Sequence, residues 1–251
     1  MNDKLVTVIT ASTGNPILPK NIESVRNQTH KNIQHIIVVD GEERVDAVYS
    51  LLEQCQFPCP DPVKETVINL PYSIGKDRWN GHRIYGGMSY VAEGDYFIYL
   101  DEDNYLDPTH VEDCLNTVSN GHDWAYSLRK IVEKDGTVIC NDDCESLGNW
   151  PSVLHPQDFF VDVNCYFIPK MLAIQITPLW YRKFREPGHP EVDRVLCHAL
   201  RQLAPTGTTT GKYSVNYTVG NSVNSVQKEF FLQGNAEMLK RFDGKLPWRS
   251  E

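Results

Sequence analysis

Apolar residues in the first half of the chain alternate between short unbroken runs and helical stripes. Residues 5–10 (LVTVIT), 33–40 (IQHIIVVD), 65–70 (ETVINL) and 96–100 (YFIYL) read as strands. The second is apolar at every position from Ile36 to Val39, the pattern of a strand covered by helices on both faces. Between the strands, Pro19 opens a helix with Ile22 and Val25 on one side, and residues 43–54 carry Val45, Val48 and Leu52 at helical spacing, continued by Cys55. A further helix is predicted over residues 79–92. This alternation predicts an α/β fold built on a parallel, doubly wound sheet.

The pattern changes further on. Asp107 and Pro108 read as the N-cap and first residue of a helix, with Val111, Leu115 and Val118 inward and Gly121 as its terminator. Residues 124–140 then predict a hairpin closed by Asp135-Gly136, and residues 158–169 (DFFVDVNCYFIP) another strand. A helix from Pro190 to Leu203 buries Val195, Leu196, Ala199, Leu200 and Leu203, followed by a strand over 212–219 and a closing helix over 226–240. No repeat, low-complexity tract or linker interrupts the chain, so the change near residue 121 predicts two lobes of one domain, 1–121 and 122–251.

Charge narrows the partners. With 24 basic and 33 acidic residues the net charge is −9, which argues against general affinity for nucleic acid or anionic membranes. No apolar run is long enough to span a bilayer and MNDKLV is not a signal peptide, so a soluble, cytoplasmic protein is expected. Seven scattered cysteines fit reduced thiols. The pairs Cys55/Cys59 and Cys140/Cys144 have zinc-like spacing, but their flanks read as loop edges and buried small hydrophobes. The sequons at Asn27 and Asn216 are then chance.

In such a sheet, ligands gather beyond the carboxyl ends of the strands. TASTGNP (10–16), Asp40-Gly41 and Asp101-Glu102-Asp103 all fall there. Three adjacent carboxylates repel one another when all are ionised. Strand alternation sends Asp101 and Asp103 to one side and Glu102 to the other. Two carboxylates on one side suit Mg²⁺ or Mn²⁺, which accept few protein ligands and complete their shell with water and phosphate. A cation there would also relieve the repulsion.

Two segments carry a family resemblance. LPKNIESVRNQTHKNIQHIIVVDG (18–41) and AEGDYFIYLDEDNYLDPTHVE (92–112) are similar to the first helix, second strand and metal-binding segment of glycosyltransferase family 2 enzymes. More loosely, PEVDRVLCHALRQL (190–203) resembles the helix carrying that family's catalytic base. The likeness covers residues 4–121 well and the remainder weakly. It implies a GT-A fold, a Rossmann-like, mainly parallel mixed sheet flanked by helices. The first lobe would bind a nucleotide-sugar and metal, and the second a glycan or other hydroxyl acceptor.

Carried over by position, the resemblance places Ala11, Ser12 and Thr13 along the base and ribose pocket, and gives Asp40 hydrogen bonds to the nucleobase or ribose. Asp101 would approach the ribose and the metal, and Asp103 would bind the metal directly. Thr13 stands where the family often has an aromatic, and Tyr85-Gly86 stands where it usually has Arg-Asn. Arg83, with Lys76 and Arg78, is nominated for the diphosphate. Direct displacement would invert the anomeric centre, with Asp193 as general base and Glu191 its rival. Uridine diphosphate is the expected carrier and guanosine diphosphate the second choice.

In the second half, Trp150, Trp180 and Tyr181 are weighed as sugar platforms against the core. Asp158 and Asp162 are read as exposed strand carboxylates, and His155 and His189 are left out of the metal set. The alternatives are a nucleotidyltransferase acting on sugar phosphates, disfavoured because TASTGNP lacks a Gly-rich, basic phosphate loop, and a sugar-binding module that kept the fold without catalysis.

Overall fold

A computed structural model of the chain describes residues 3–59, 62–154, 156–182, 192–221 and 226–249. The first half follows the predicted alternation: β1 (Val6–Ser12), α1 (Leu18–Arg26), β2 (Ile33–Val39), α2 (Val45–Gln54), β3 (Lys64–Asn69), α3 (His82–Val91) and β4 (Tyr96–Tyr99). β3, β2, β1 and β4 lie side by side and parallel. The side chains of β2 divide between the two faces. Ile37 and Val39 pack with Leu18 and Ile22 of α1 and with Val48 and Leu52 of α2, whereas Ile36 and Val38 join the main core with Ile84 and Tyr85 of α3. Fully burying each such aliphatic side chain stabilises by about 1.5–3 kcal/mol, so the unbroken apolar run of β2 fixes two helical layers.

The second half is a mixed extension of the same sheet. It comprises β5 (Tyr105–Leu106), α4 (His110–Ser119), β6 (Ala125–Val132), β7 (Val138–Asn141), β8 (Tyr166–Pro169), α5 (Lys170–Ile176), α6 (Val192–Leu203), β9 (Thr208–Thr218) and α7 (Lys228–Arg241). Among the described residues the strand order is β3-β2-β1-β4-β8-β6-β9-β5, with β7 added antiparallel to β6. β8 runs antiparallel to both β4 and β6, and is the seam that joins the halves.

Several expectations need correction. α3 begins at His82 rather than at residue 79, because Asp77, Arg78 and Asn80 take left-handed backbone angles that a helix cannot continue. α4 begins at His110; Asp107 does not cap it with its side chain but accepts Lys130 Nζ at 2.7 Å. Only residues 166–169 of the predicted strand over 158–169 are extended as a strand, because the Asp162 carboxylate accepts Asn164 N at 3.0 Å and closes a tight turn. The start of the helix placed at Pro190 lies outside the described residues. Asn216 is buried and donates to Asp107, so its sequon serves the core. None of the seven cysteines forms a disulfide, and burial raises the pKa of Cys55 and Cys144. None of the helices described is long and apolar enough to cross a membrane.

Candidate functional site

β1 and β2 end side by side, with Asp40 N donating to Ser12 O at 2.9 Å, and β4 ends earlier, alongside Ile9 of β1, where Leu100 N donates to Ile9 O at 2.9 Å. The three segments singled out by pattern therefore gather at one sheet edge, where β4 has ended at Tyr99 and a turn closed by Asn104 N to Asp101 O at 3.0 Å, rather than strand alternation, carries the acidic cluster.

Glu102 points into the turn after β1. Its Oε1 accepts Thr13 N at 2.9 Å and Thr13 Oγ1 at 2.8 Å; its Oε2 accepts Ser12 Oγ at 2.6 Å, Gly14 N at 3.1 Å and Asn15 N at 2.9 Å. This carboxylate is a strut that takes the backbone N–H groups of residues 13–15 where the ladder of β1 has ended, and the hydroxyls of Ser12 and Thr13 are committed to it. Ala11 packs under the start of α3, where a Cβ added to Gly81 would stand 2.9 Å from Ala11 Cβ.

Asp101 and Asp103 are turned elsewhere. Asp101 Oδ1 accepts Tyr85 OH at 2.5 Å, Oδ2 accepts Asn164 Nδ2 at 3.0 Å, and its backbone N–H reaches Asn164 Oδ1 at 2.7 Å. Burial pushes the Asp101 pKa up, and the bonds from Tyr85 and Asn164 pull against it. Asp103 accepts Asn221 Nδ2 at 2.7 Å. Its pKa is pushed up to about 7, first by burial and then by the charges of Asp101 and Glu102. Two carboxylates so strained by desolvation and repulsion fit a hard cation. Among the described residues no three His, Cys, Asp or Glu side chains gather to hold an ion alone.

Asp40 also spends its carboxylate on the protein. Oδ1 accepts Ile74 N at 2.7 Å, and Oδ2 accepts Ser73 Oγ at 2.9 Å and Gly75 N at 3.0 Å, which pins the loop leading to α3. Lys76 and Arg78 stand exposed on that loop. Arg83 stacks over Trp79, its guanidinium 4.0 Å from the ring centroid.

Asp193 lies in the first turn of α6, 28% exposed, where the helix macrodipole favours an anion. Its backbone carbonyl accepts Tyr166 OH at 3.1 Å, and its Oδ1 stands 3.9 Å from His82 Nε2. Glu191, His155 and His189 lie outside the described residues. Trp180 is fully buried against Tyr85 and Tyr99, and is core rather than a sugar platform. Trp150 packs on Trp248, and Tyr181 is 47% exposed. Asp158 and Asp162 are not free strand carboxylates: Asp158 pairs with Arg194 at 3.0 Å, and Asp162 is buried against the Arg129 guanidinium.

Sequence reasoning missed Tyr85, Asn164 and Asn221 as partners of the acidic cluster. The only signal was indirect: Tyr85 occupies a position where the resemblance asks for Arg.

The family model described as Glycosyl transferase family 2 matches residues 6–140. No curated protein sequence matches the chain. Among solved structures, S. aureus TarS 1-349 superposes with a TM-score of 0.63 at 14% identity, over 95% of this chain and 71% of that one. The same protein in complex with UDP-GlcNAc gives 0.61 at 14% identity, over 95% and 72%. At that identity the likeness speaks for the fold.

Proposed function

The chain belongs to glycosyl transferase family 2, and on that premise we propose that it moves a sugar, with inversion, from a nucleotide-sugar to an acceptor hydroxyl, with Asp103 and Asp101 holding a divalent cation. The observation that supports the reading is the split of the acidic cluster: Glu102 is consumed by the turn after β1, while Asp101 and Asp103 take other partners and the charge of Asp101 helps raise the pKa of Asp103. The nucleotide would lie over Ala11, Ser12 and Thr13, whose turn Glu102 holds rigid, and over Asp40. A uridine diphosphate carrier is favoured because the similar TarS has been solved with UDP and with UDP-GlcNAc.

When bound, Mn²⁺ or Mg²⁺ acts as a Lewis acid on the departing diphosphate. Arg83, with Lys76 and Arg78, supplies positive charge to the same group from the start of α3. Asp193 accepts the proton of the acceptor hydroxyl as it attacks, a role typically contributing about 10²- to 10⁴-fold in rate. Lobe 1–121 thus binds the donor and lobe 122–251 the acceptor.

A panel of nucleoside diphosphates with and without Mn²⁺ tests the donor site by thermal shift, since a ligand at 100 times its Kd stabilises by about 2.7 kcal/mol. Uridine diphosphate with Mn²⁺ is expected to raise the melting temperature of the wild type and not of Asp103→Asn. No shift with any nucleotide overturns the assignment. Product chemistry separates the alternatives: a transferase releases nucleoside diphosphate from a nucleotide-sugar, a nucleotidyltransferase releases pyrophosphate from a triphosphate, and a binding module does neither.

A further inference from the structure

His82 is the first residue of α3 and sits between the two halves of the site. Its Nε2 faces Asp193 Oδ1 at 3.9 Å. Only 8% of the residue is exposed, and the imidazole lies against Trp180 with ring centroids 5.8 Å apart. Its backbone is fixed as well, because His82 N donates to Trp79 O at 3.0 Å and Gly81 packs on Ala11 at the end of β1.

Its Nδ1 is buried and has no hydrogen-bond partner among the described residues. An unpaired buried acceptor is tolerated better than an unpaired buried N–H. Of the two neutral tautomers, the one with its proton on Nε2, the nitrogen facing Asp193, is therefore favoured by the surroundings of Nδ1. A separation of 3.9 Å is too long for a hydrogen bond, but bonds of this type commonly close only once substrate is bound.

We propose that His82 is the positioning residue for Asp193: its Nε2–H holds one carboxylate oxygen so that the other faces the acceptor hydroxyl. The inference rests on Asp193 being the base. It gives α3 a second task, since the helix that approaches the donor would also orient the base on α6.

The test measures kcat and KM for uridine diphosphate release from UDP-GlcNAc with Mn²⁺ in the wild type, His82→Ala, His82→Gln, His82→Asn, Asp193→Asn and the double variant His82→Ala/Asp193→Asn. His82→Ala is expected to lower kcat on the order of 10²-fold, the usual cost of a misplaced catalytic group, with KM for the donor unchanged. His82→Gln should recover much of the loss, because its amide N–H reaches the position of Nε2. His82→Asn, whose amide reaches only the position of Nδ1, should not. In the Asp193→Asn background, His82→Ala should add little further loss, since residues acting as a unit are not additive.

Equal losses in both backgrounds, or equal activity of the Gln and Asn variants, overturn the proposal. Should His82→Ala fail to fold, the Gln and Asn pair still decides. Asp193→Asn turning over at the wild-type rate would instead remove the base assignment, an outcome distinct from additivity.

Discussion

Glu102 carries no chemistry in the proposed reaction, yet it holds the donor edge in shape. Its two oxygens gather the donors of Ser12, Thr13, Gly14 and Asn15, and it is 9% exposed. Glu102→Gln keeps the volume but leaves one acceptor oxygen and turns an NH₂ toward donors. Buried donors left unsatisfied cost about 1–3 kcal/mol, so urea unfolding should show a loss of that size, with weakened uridine diphosphate binding. Full stability and binding in this variant would mean that the turn is held by something else. The three carboxylates were legible as a cluster at a strand end, but their directions are set by the turn that follows Tyr99 and not by strand alternation. Their partners were not legible. Asn164 and Asn221 come from distant parts of the chain, and no local pattern marks a residue whose role is set by tertiary contact.

At the scale of elements, α3 explains why Tyr85 and Gly86 stand where the family resemblance expects Arg and Asn. Tyr85 reaches Asp101 with its hydroxyl, and Gly86 lies directly against the turn at 177–181. A Cβ at Gly86 would stand 2.9 Å from Trp180 Cβ and 3.0 Å from Tyr181 Cε2. Gly86→Ala should therefore push α3 away from that turn and destabilise by about 1–3 kcal/mol, the usual cost of overpacking. Because α3 carries His82 and Tyr85, turnover should fall too. A variant as stable and active as the wild type would show that the helix shifts freely. Apolar periodicity located the body of α3 but not its start, since Trp79 fits a helical stripe while Asn80 takes φ of 48°. β2 was easiest to read because double burial writes itself as an unbroken apolar run, whereas β3, at the sheet edge, is only partly buried. The stretch before β8 was hardest, because Asp162 sits in a strand-like sequence and closes a turn while also meeting buried Arg129.

Across the whole molecule, two buried histidines, His35 and His110, contribute to the response to acid. Burial lowers the pKa of His35 in β2 to about 3 and that of His110 in α4 to about 4, from an ordinary value of 6.5. Between these values and 6.5 the unfolded chain binds protons that the folded chain refuses, so stability is full above 6.5 and declines as pH falls toward 4. Asp103, raised to about 7, works in the opposite sense: the folded chain takes up its proton first, which offsets part of the loss. The absolute slope therefore mixes contributions, and the difference between variants separates them. His110 Nδ1 meets Ser214 Oγ at 2.8 Å. His110→Asn can keep a bond to that hydroxyl while removing the titrating ring. Urea unfolding of the wild type and this variant from pH 7 to pH 4.5 should give a shallower decline for the variant. Below pH 6.5 the difference should approach about 1.4 kcal/mol per pH unit, the worth of one proton bound only by the unfolded state. Parallel curves would mean that His110 already accepts its proton in the folded protein, and the acid sensitivity would then belong to His35 and the carboxylates.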